Sequence, residues 1–190
     1  PLWYSSYLPV YFFISSMFAG MSMVIFEGSL AHRFLHHKMD QTHLDESQGV
    51  ALGFSKAASF VMMGYVCIKL LGMSLDNNWH FLTTGWGIWF LVELVGFVVF
   101  PALLFAVAHR EKNLTFARVA AVWTILGIVL NRFNISIIAF NYHLPSDQRY
   151  FPSIMEIGTS IFIVTLGIVI YRFICTRMPI LHEHPDYKSH

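Results

Sequence analysis

A glutamate in WFLVELVGF and an arginine in LNRFNISIIAFN stand in surroundings so apolar that neither is expected to meet bulk water. An ionised side chain in hydrocarbon costs at least ~2.5 kcal/mol, so Glu93 and Arg132 must each find a partner or face a polar cavity. Lys69 in CIKLLGM, Glu156 in YFPSIMEI, and Asn131, Asn134 and Asn141 extend the set. Glu93 follows Trp86 by about seven residues and Arg132 precedes the end of its apolar run by about as many, which puts both ~10 Å below the same surface. Two chemistries fit a polar cluster of this kind. One is a structural ion pair between Glu93 and Arg132, joined by Lys69 and Glu156, that fixes helix register. The other is a proton path, or the polar end of a quinone pocket, in which a carboxylate takes up a proton as a redox ligand turns over. The two are compatible.

Glu27, in MSMVIFEGSLAHRF, stands apart from this cluster. It lies near the other end of its apolar run, on a face shared with Ser16, Ala19 and Gly20, and Ser16 and Gly20 form a small-xxx-small pattern that favours close helix packing. Lys56, at a similar depth, is its expected partner. Two acids at different depths suggest stations of one proton route, Glu27 at the inner side and Glu93 at the outer.

The elements that must carry these residues are five apolar runs, at about Leu8–Leu35, Val50–Met73, Phe81–Ala108, Phe116–Phe140 and Ser153–Thr176. At ~1.5 Å per residue each is long enough to cross a ~30 Å hydrocarbon layer as a helix. The composition agrees: 56% of the 190 residues are hydrophobic and 12% charged, against roughly a quarter charged in ordinary soluble domains. The expected fold is all-α, a polytopic transmembrane bundle over 1–177 with a cytoplasmic tail at 178–190. The second run requires Lys56 and Lys69 to send their ammonium groups toward opposite interfaces. Pro101, inside the third run, is expected to kink it.

Nine of the twelve Lys and Arg residues fall in one alternating set of loops and ends, two (Lys69 and Arg149) in the other, and Arg132 within a run. Basic loops remain in the cytoplasm, so the N-terminus is expected outside and the C-terminus inside. Trp3, Tyr4, Tyr7, Tyr11, Trp79, Trp86, Trp89, Tyr142 and Tyr150 gather at the outer boundary, as an interfacial belt or a docking surface for an external partner. The segment His36–Gln48 reads as a solvated inner loop, and HEHPDYKSH, with His182 and His184, as a frayed end. The chain begins at Pro1 without a charged n-region or a signal-type cleavage site, and is expected to be a fragment or a processed piece.

Several functions are excluded at this stage. A net charge of +1 offers no basic face for nucleic acid. Cys67 and Cys175 fall inside apolar runs, which argues against a disulfide framework, a thiolate metal site or an iron–sulfur cluster. A membrane haem needs axial ligands within the spans, and all ten histidines fall in loops, at helix ends or in the tail, so neither haem nor metal is expected in this chain.

The segments PLWYSSYLPVYFF, GMSMVIFEGSL, LNRFNISIIAFN and YFPSIMEI, in this order and spacing, resemble the C-terminal half of the NrfD/HybB-like membrane subunits, most closely those of HybB type from periplasmic uptake [NiFe] hydrogenases. The resemblance runs over nearly the whole chain. It implies a multi-pass subunit in the bacterial inner membrane that is non-catalytic alone. It also implies exchange of electrons between the menaquinone or ubiquinone pool and an external ferredoxin-like iron–sulfur subunit of a hydrogenase or related reductase. Glu27, Glu93, Arg132 and Glu156 match positions of the family pattern, whereas Lys69 stands where an arginine or similar base is expected. In the family the quinone site is attributed to the N-terminal bundle, which implies that this segment supplies one wall of the site, a proton route or anchoring. A passive membrane anchor, and a proton channel or secondary transporter, are the alternative readings.

Overall fold

The apolar runs fold as helices. The structure, a computed structural model, describes residues 2, 3, 5–35, 41–139, 141, 144, 145 and 148–177, with the side chains of 31–35, 41–47, 175 and 176 outside the description. Its long helices are α1 (Leu8–Leu35), α2 (Gln41–Leu75), α3 (Gly85–Leu94), α4 (Phe100–Glu111), α5 (Leu114–Phe133) and α6 (Ile154–Arg177), and no strand occurs among the described residues. Among the described residues five stretches are long and apolar enough to cross a membrane: Leu8–Leu30, Gln48–Leu75, Gly85–Glu111, Leu114–Ala139 and Ile154–Ile174. They match the five runs, so the chain is a multi-span membrane protein. The tail at 178–190 and residues 36–40 lie outside the described residues. The remainder of the expected inner loop is not loop, because α2 begins at Gln41. Nothing between Gln41 and Gly49 breaks a helix, and the polar residues there carry α2 beyond its apolar span.

Contacts divide the chain into Pro1–Leu144 and Pro145–His190. In the first unit α1 packs on α2 and α5, and α4 packs on the same two, so the four spans close a ring in chain order. On α1 the buried residues are Tyr11, Ser15, Phe18, Ser22 and Ile25, which recur at steps of four and three. The buried hydroxyls of Ser15 and Ser22 donate to the carbonyls of Phe12 (3.0 Å) and Phe18 (2.8 Å) of their own helix, which removes the cost of burying them. The face expected to pack is a different one. Ser16, Gly20 and Glu27 are exposed, and a Cβ on Gly20 meets no atom within 4 Å. The small-residue contact forms instead on α5, where Ala117, Ala120, Ala121, Thr124 and Gly127 are buried along one stripe. Where lipid supplies no hydrophobic drive between helices, such a stripe lets backbones approach. A Cβ at Gly127 would lie 2.8 Å from Phe97 Cβ.

α3 and α4 form one span joined by a π-helical turn, Val95–Val99. The N–H of Phe100 bonds to Val95 O instead of Gly96 O, and Pro101, next in the chain, has no N–H to offer Phe97 O. The released Gly96 carbonyl accepts from Trp123 Nε1 of α5 at 2.8 Å. The irregularity expected at Pro101 is therefore a widened turn just before the proline. A second π segment, Asn134–Ala139, continues α5.

The third span starts later than its apolar run. Trp79–Thr83 is a 3-10 helix, and Thr84 caps α3 by accepting from Gly87 N at 3.2 Å. Asn77 adopts the left-handed conformation (φ 50°) that turns the chain out of α2. Gly87 is buried, and a Cβ there would lie 2.1 Å from Phe81 O and 2.5 Å from Leu82 Cα, both backbone atoms that cannot yield cheaply. Gly87→Ala should therefore destabilise the bundle by about 1–3 kcal/mol. Gly20→Ala should leave it unchanged, and thermal unfolding followed by helical circular dichroism in detergent separates the two.

Candidate functional site

Glu93 lies in the last turn of α3, next to the widened turn, and is 4% exposed. Its Oε2 accepts from Trp3 Nε1 at 2.7 Å and from Asn134 Nδ2 at 2.5 Å, and its Oε1 accepts from Asn131 Nδ2. All three donors are neutral N–H groups, so both carboxyl oxygens of Glu93 act as acceptors in these bonds. Two segments besides the third span supply them: Trp3 precedes α1, while Asn131, in the last turn of α5, and Asn134, at the start of the second π segment, belong to the fourth span. Asn134 Oδ1 in turn lies 3.4 Å from Trp89 Nε1, and Trp3 packs edge-on against Phe90 with ring centroids 5.6 Å apart.

Lys69 is 5% exposed. It does not reach for an interface, as a lysine near a span end is expected to do. Its Nζ donates to Tyr65 Oη at 3.1 Å and sits 4.9 Å from the Phe90 ring centroid, 5.3 Å from Tyr65 and 5.8 Å from Tyr11. Aromatic faces attract a desolvated ammonium, and here three of them surround it. Lys69, Glu93, Asn131, Tyr65 and Ser15 line one small cavity whose remaining walls are apolar. It has room for about one water molecule and polar groups enough to hold it.

The ion pair expected between Glu93 and Arg132 does not form. Asn131 and Arg132 are neighbours on a helix, where successive residues point about 100° apart, so the asparagine that reaches Glu93 turns the arginine elsewhere. The Arg132 guanidinium donates to Ser15 Oγ at 2.7 Å and lies 3.6 Å from the centre of the Phe12 ring, both on α1. The cluster is nevertheless continuous, because Ser15 both accepts from Arg132 and lines the cavity with Lys69 and Glu93. Asn141 is buried. No ion pair joins Glu27 to Lys56, which are both exposed.

Glu156 lies in the second unit. Its Oε2 accepts from Ser153 N at 2.9 Å and from the Tyr150 hydroxyl at 2.5 Å, while Ser153 Oγ accepts from Glu156 N at 3.4 Å. This reciprocal arrangement is a capping box that starts α6. Its signature, Ser followed three residues later by Glu, is plain in SIME.

The aromatic belt divides. Tyr7, Trp79 and Trp86 are exposed, as lipid-facing residues should be, but Trp3 and Tyr11 are buried around the two charges. Tyr4 and Tyr142 lie outside the described residues. Ser15, Tyr65 and Phe90 belong to the site without having been singled out. Tyr65 had a visible signal, a phenol one helical turn from Lys69. Among the described residues no group of three or more His, Cys, Asp or Glu could hold a metal ion.

Trp3→Phe keeps the ring beside Phe90 and deletes one donor to a buried carboxylate, which should lower stability by about 1.5–3 kcal/mol. A thermal unfolding midpoint equal to that of the unaltered protein would contradict this role. The hydrogen bond from Tyr150 to Glu156 raises the phenol above its usual 10.0. The bonded form is the neutral one, so its contribution is present below the ordinary tyrosine range and lost as pH rises through the raised value. Ultraviolet titration of the unaltered protein against Tyr150→Phe should show one phenol ionising late.

The family described as "Polysulphide reductase, NrfD" matches residues 1–142. A protein of Nitratidesulfovibrio vulgaris strain Hildenborough is 62% identical over 189 residues, covering 100% of this chain and 49% of the relative. The "Probable Ni/Fe-hydrogenase 2 b-type cytochrome subunit" of Escherichia coli K12 is 24% identical over 195 residues, covering 100% of this chain and 48% of the relative. The chain thus spans about half the length of the curated relatives it matches. No solved structure matches at a significant level. With a family match over residues 1–142, more than half of its length, this chain belongs to the NrfD family of membrane proteins.

Proposed function

We propose that the chain is part of the membrane subunit of a quinone-linked respiratory oxidoreductase in the bacterial inner membrane, and that its Glu93 cluster carries protons to or from the quinone. A menaquinone or ubiquinone that takes up two electrons also takes up two protons to become the quinol, and quinol oxidation returns them. The electrons pass through an external ferredoxin-like iron–sulfur subunit. Redox chemistry belongs to the quinone and the clusters, and this chain supplies position, electrostatics and proton movement. The name of the Escherichia coli relative favours a hydrogenase as the catalytic partner. The reading assigns no haem to this chain despite that name, because its histidines stand outside the apolar interiors of the runs.

One observation carries the proposal: a buried carboxylate and a buried ammonium line a water-sized cavity without forming a direct ion pair. Oε1 receives one hydrogen bond and Oε2 two, so Oε1 is the atom that takes the proton, with the Asn131 amide giving way. A proton arrives or leaves through the cavity, which Lys69 also lines and where the Ser15 hydroxyl connects to Arg132. A passive anchor is the competing reading, favoured by the fact that the same three donors tie together three segments of the bundle.

The test is Glu93→Gln in the intact complex. Loss of a positioned acid–base group should lower quinone-linked turnover about 100-fold or more. Reduction of an artificial dye by the catalytic subunit should be unaffected and should stay with the washed membranes, the second result showing that assembly survives. Quinone-linked turnover equal to that of the unaltered complex would eliminate the proton role and leave the anchor.

A further inference from the structure

We infer that the chain holds an anionic phospholipid at the opposite end of the bundle from Glu93, with Arg118 as the residue that binds its phosphate. The first span ends at Leu30, the second begins at Gln48 and the fourth at Leu114, so three span limits fall at one membrane boundary. Between them lies an open groove lined deeper in the spans by Val24, Ile25 and Ala51 and toward the boundary by Ser29, Gln48 and Leu114, with Arg118 one helical turn inside Leu114, close enough for its long side chain to reach back toward the boundary. The apolar part suits an acyl chain and the polar part a headgroup.

Charge decides which amphiphile fits. Arg118 is half-buried and has no hydrogen-bonding, ionic or ring partner among the described residues. The cations at the other end are spoken for, since Lys69 has its aromatic cage and Arg132 has Ser15 and Phe12. A guanidinium binds phosphate oxygens in bidentate fashion, and basic pockets between helix ends are the places where anionic headgroups settle. A neutral quinone head would leave the guanidinium without a countercharge. A zwitterionic lipid would bring its own cation against it.

The intact membrane protein, delipidated in mild detergent, is incubated with phosphatidylglycerol, with phosphatidylcholine or with inorganic phosphate, and retained molecules are counted by native mass spectrometry. Phosphatidylglycerol should be retained in preference to phosphatidylcholine by about tenfold, and Arg118→Gln should lose that retention by a similar factor. Arg118→Lys should keep part of it. Val50→Trp, which fills the groove without touching the charge, should lose it, and this variant decides the matter if Arg118→Gln does not fold. Equal retention by Arg118→Gln and Val50→Trp overturns the inference, as does equal retention of the two lipids. Displacement of phosphatidylglycerol by inorganic phosphate alone would mark a free-anion site, and displacement by a quinone would mark a quinone groove; either overturns it as well.

Discussion

The organisation of the first unit depends on keeping one carboxylate satisfied in a place where water is scarce. Glu93 solves this with hydrogen bonds from Trp3, Asn131 and Asn134 instead of a salt bridge. Neutral donors can be packed among apolar side chains at low desolvation cost, whereas a second buried ion brings its own penalty. The solution has a geometric consequence. The segment before α1, the third span and the end of the fourth span must all converge on one side chain, so the acid acts as a register pin for the bundle.

Both π segments lie beside this pin. The first begins two residues after Glu93, and the second begins at Asn134, one of its donors. A widened turn shifts the side chains that follow it around the helix axis and releases a carbonyl, as at Gly96, which Trp123 then occupies. Where two asparagines three residues apart must both reach one carboxylate, a turn that departs from regular α geometry adjusts their aim. Gly127, pressed against Phe97 of the first π segment, provides the space in which the two irregular helices meet.

The cations of the unit show how much the partner of a charge depends on its surroundings. Lys69 rests among three aromatic rings and a phenol, and Arg132 lies on a ring and a hydroxyl. Neither uses a carboxylate. Polarisable rings and hydroxyls serve where two ions would otherwise need desolvation together. The result is a Glu93 and a Lys69 that share a cavity while each keeps its own set of neutral partners, an arrangement that leaves room for a water or a proton between them.

The spans themselves are legible in the chain because length and apolarity alone decide whether a helix crosses a membrane, but their limits shift by several residues where local caps intervene, as Thr84 does at the third. So is the level of Glu93, Asn131 and Asn134, since rise per residue converts sequence distance into depth. The capping box at Ser153 and Glu156 was equally local. Facing was not legible. Five runs that are apolar nearly all round carry little amphipathic signal to tell a lipid-facing side from a packed one, so small-residue spacing points to Ser16 and Gly20 as the packed face while the buried one carries Ser15. Partner choice was not legible either, because opposite charges at one depth suggest attraction, while the 100° step between Asn131 and Arg132 sends them to different neighbours. Trp3 and Tyr11 look like interfacial aromatics in any linear reading, and only the ring of helices turned them inward onto the charges. The linear chain thus sets which stretches are long and apolar enough to cross and how far along them the polar groups stand, which are one-dimensional quantities. Which group meets which depends on rotation about each helix axis, and that rotation is decided only when the helices pack.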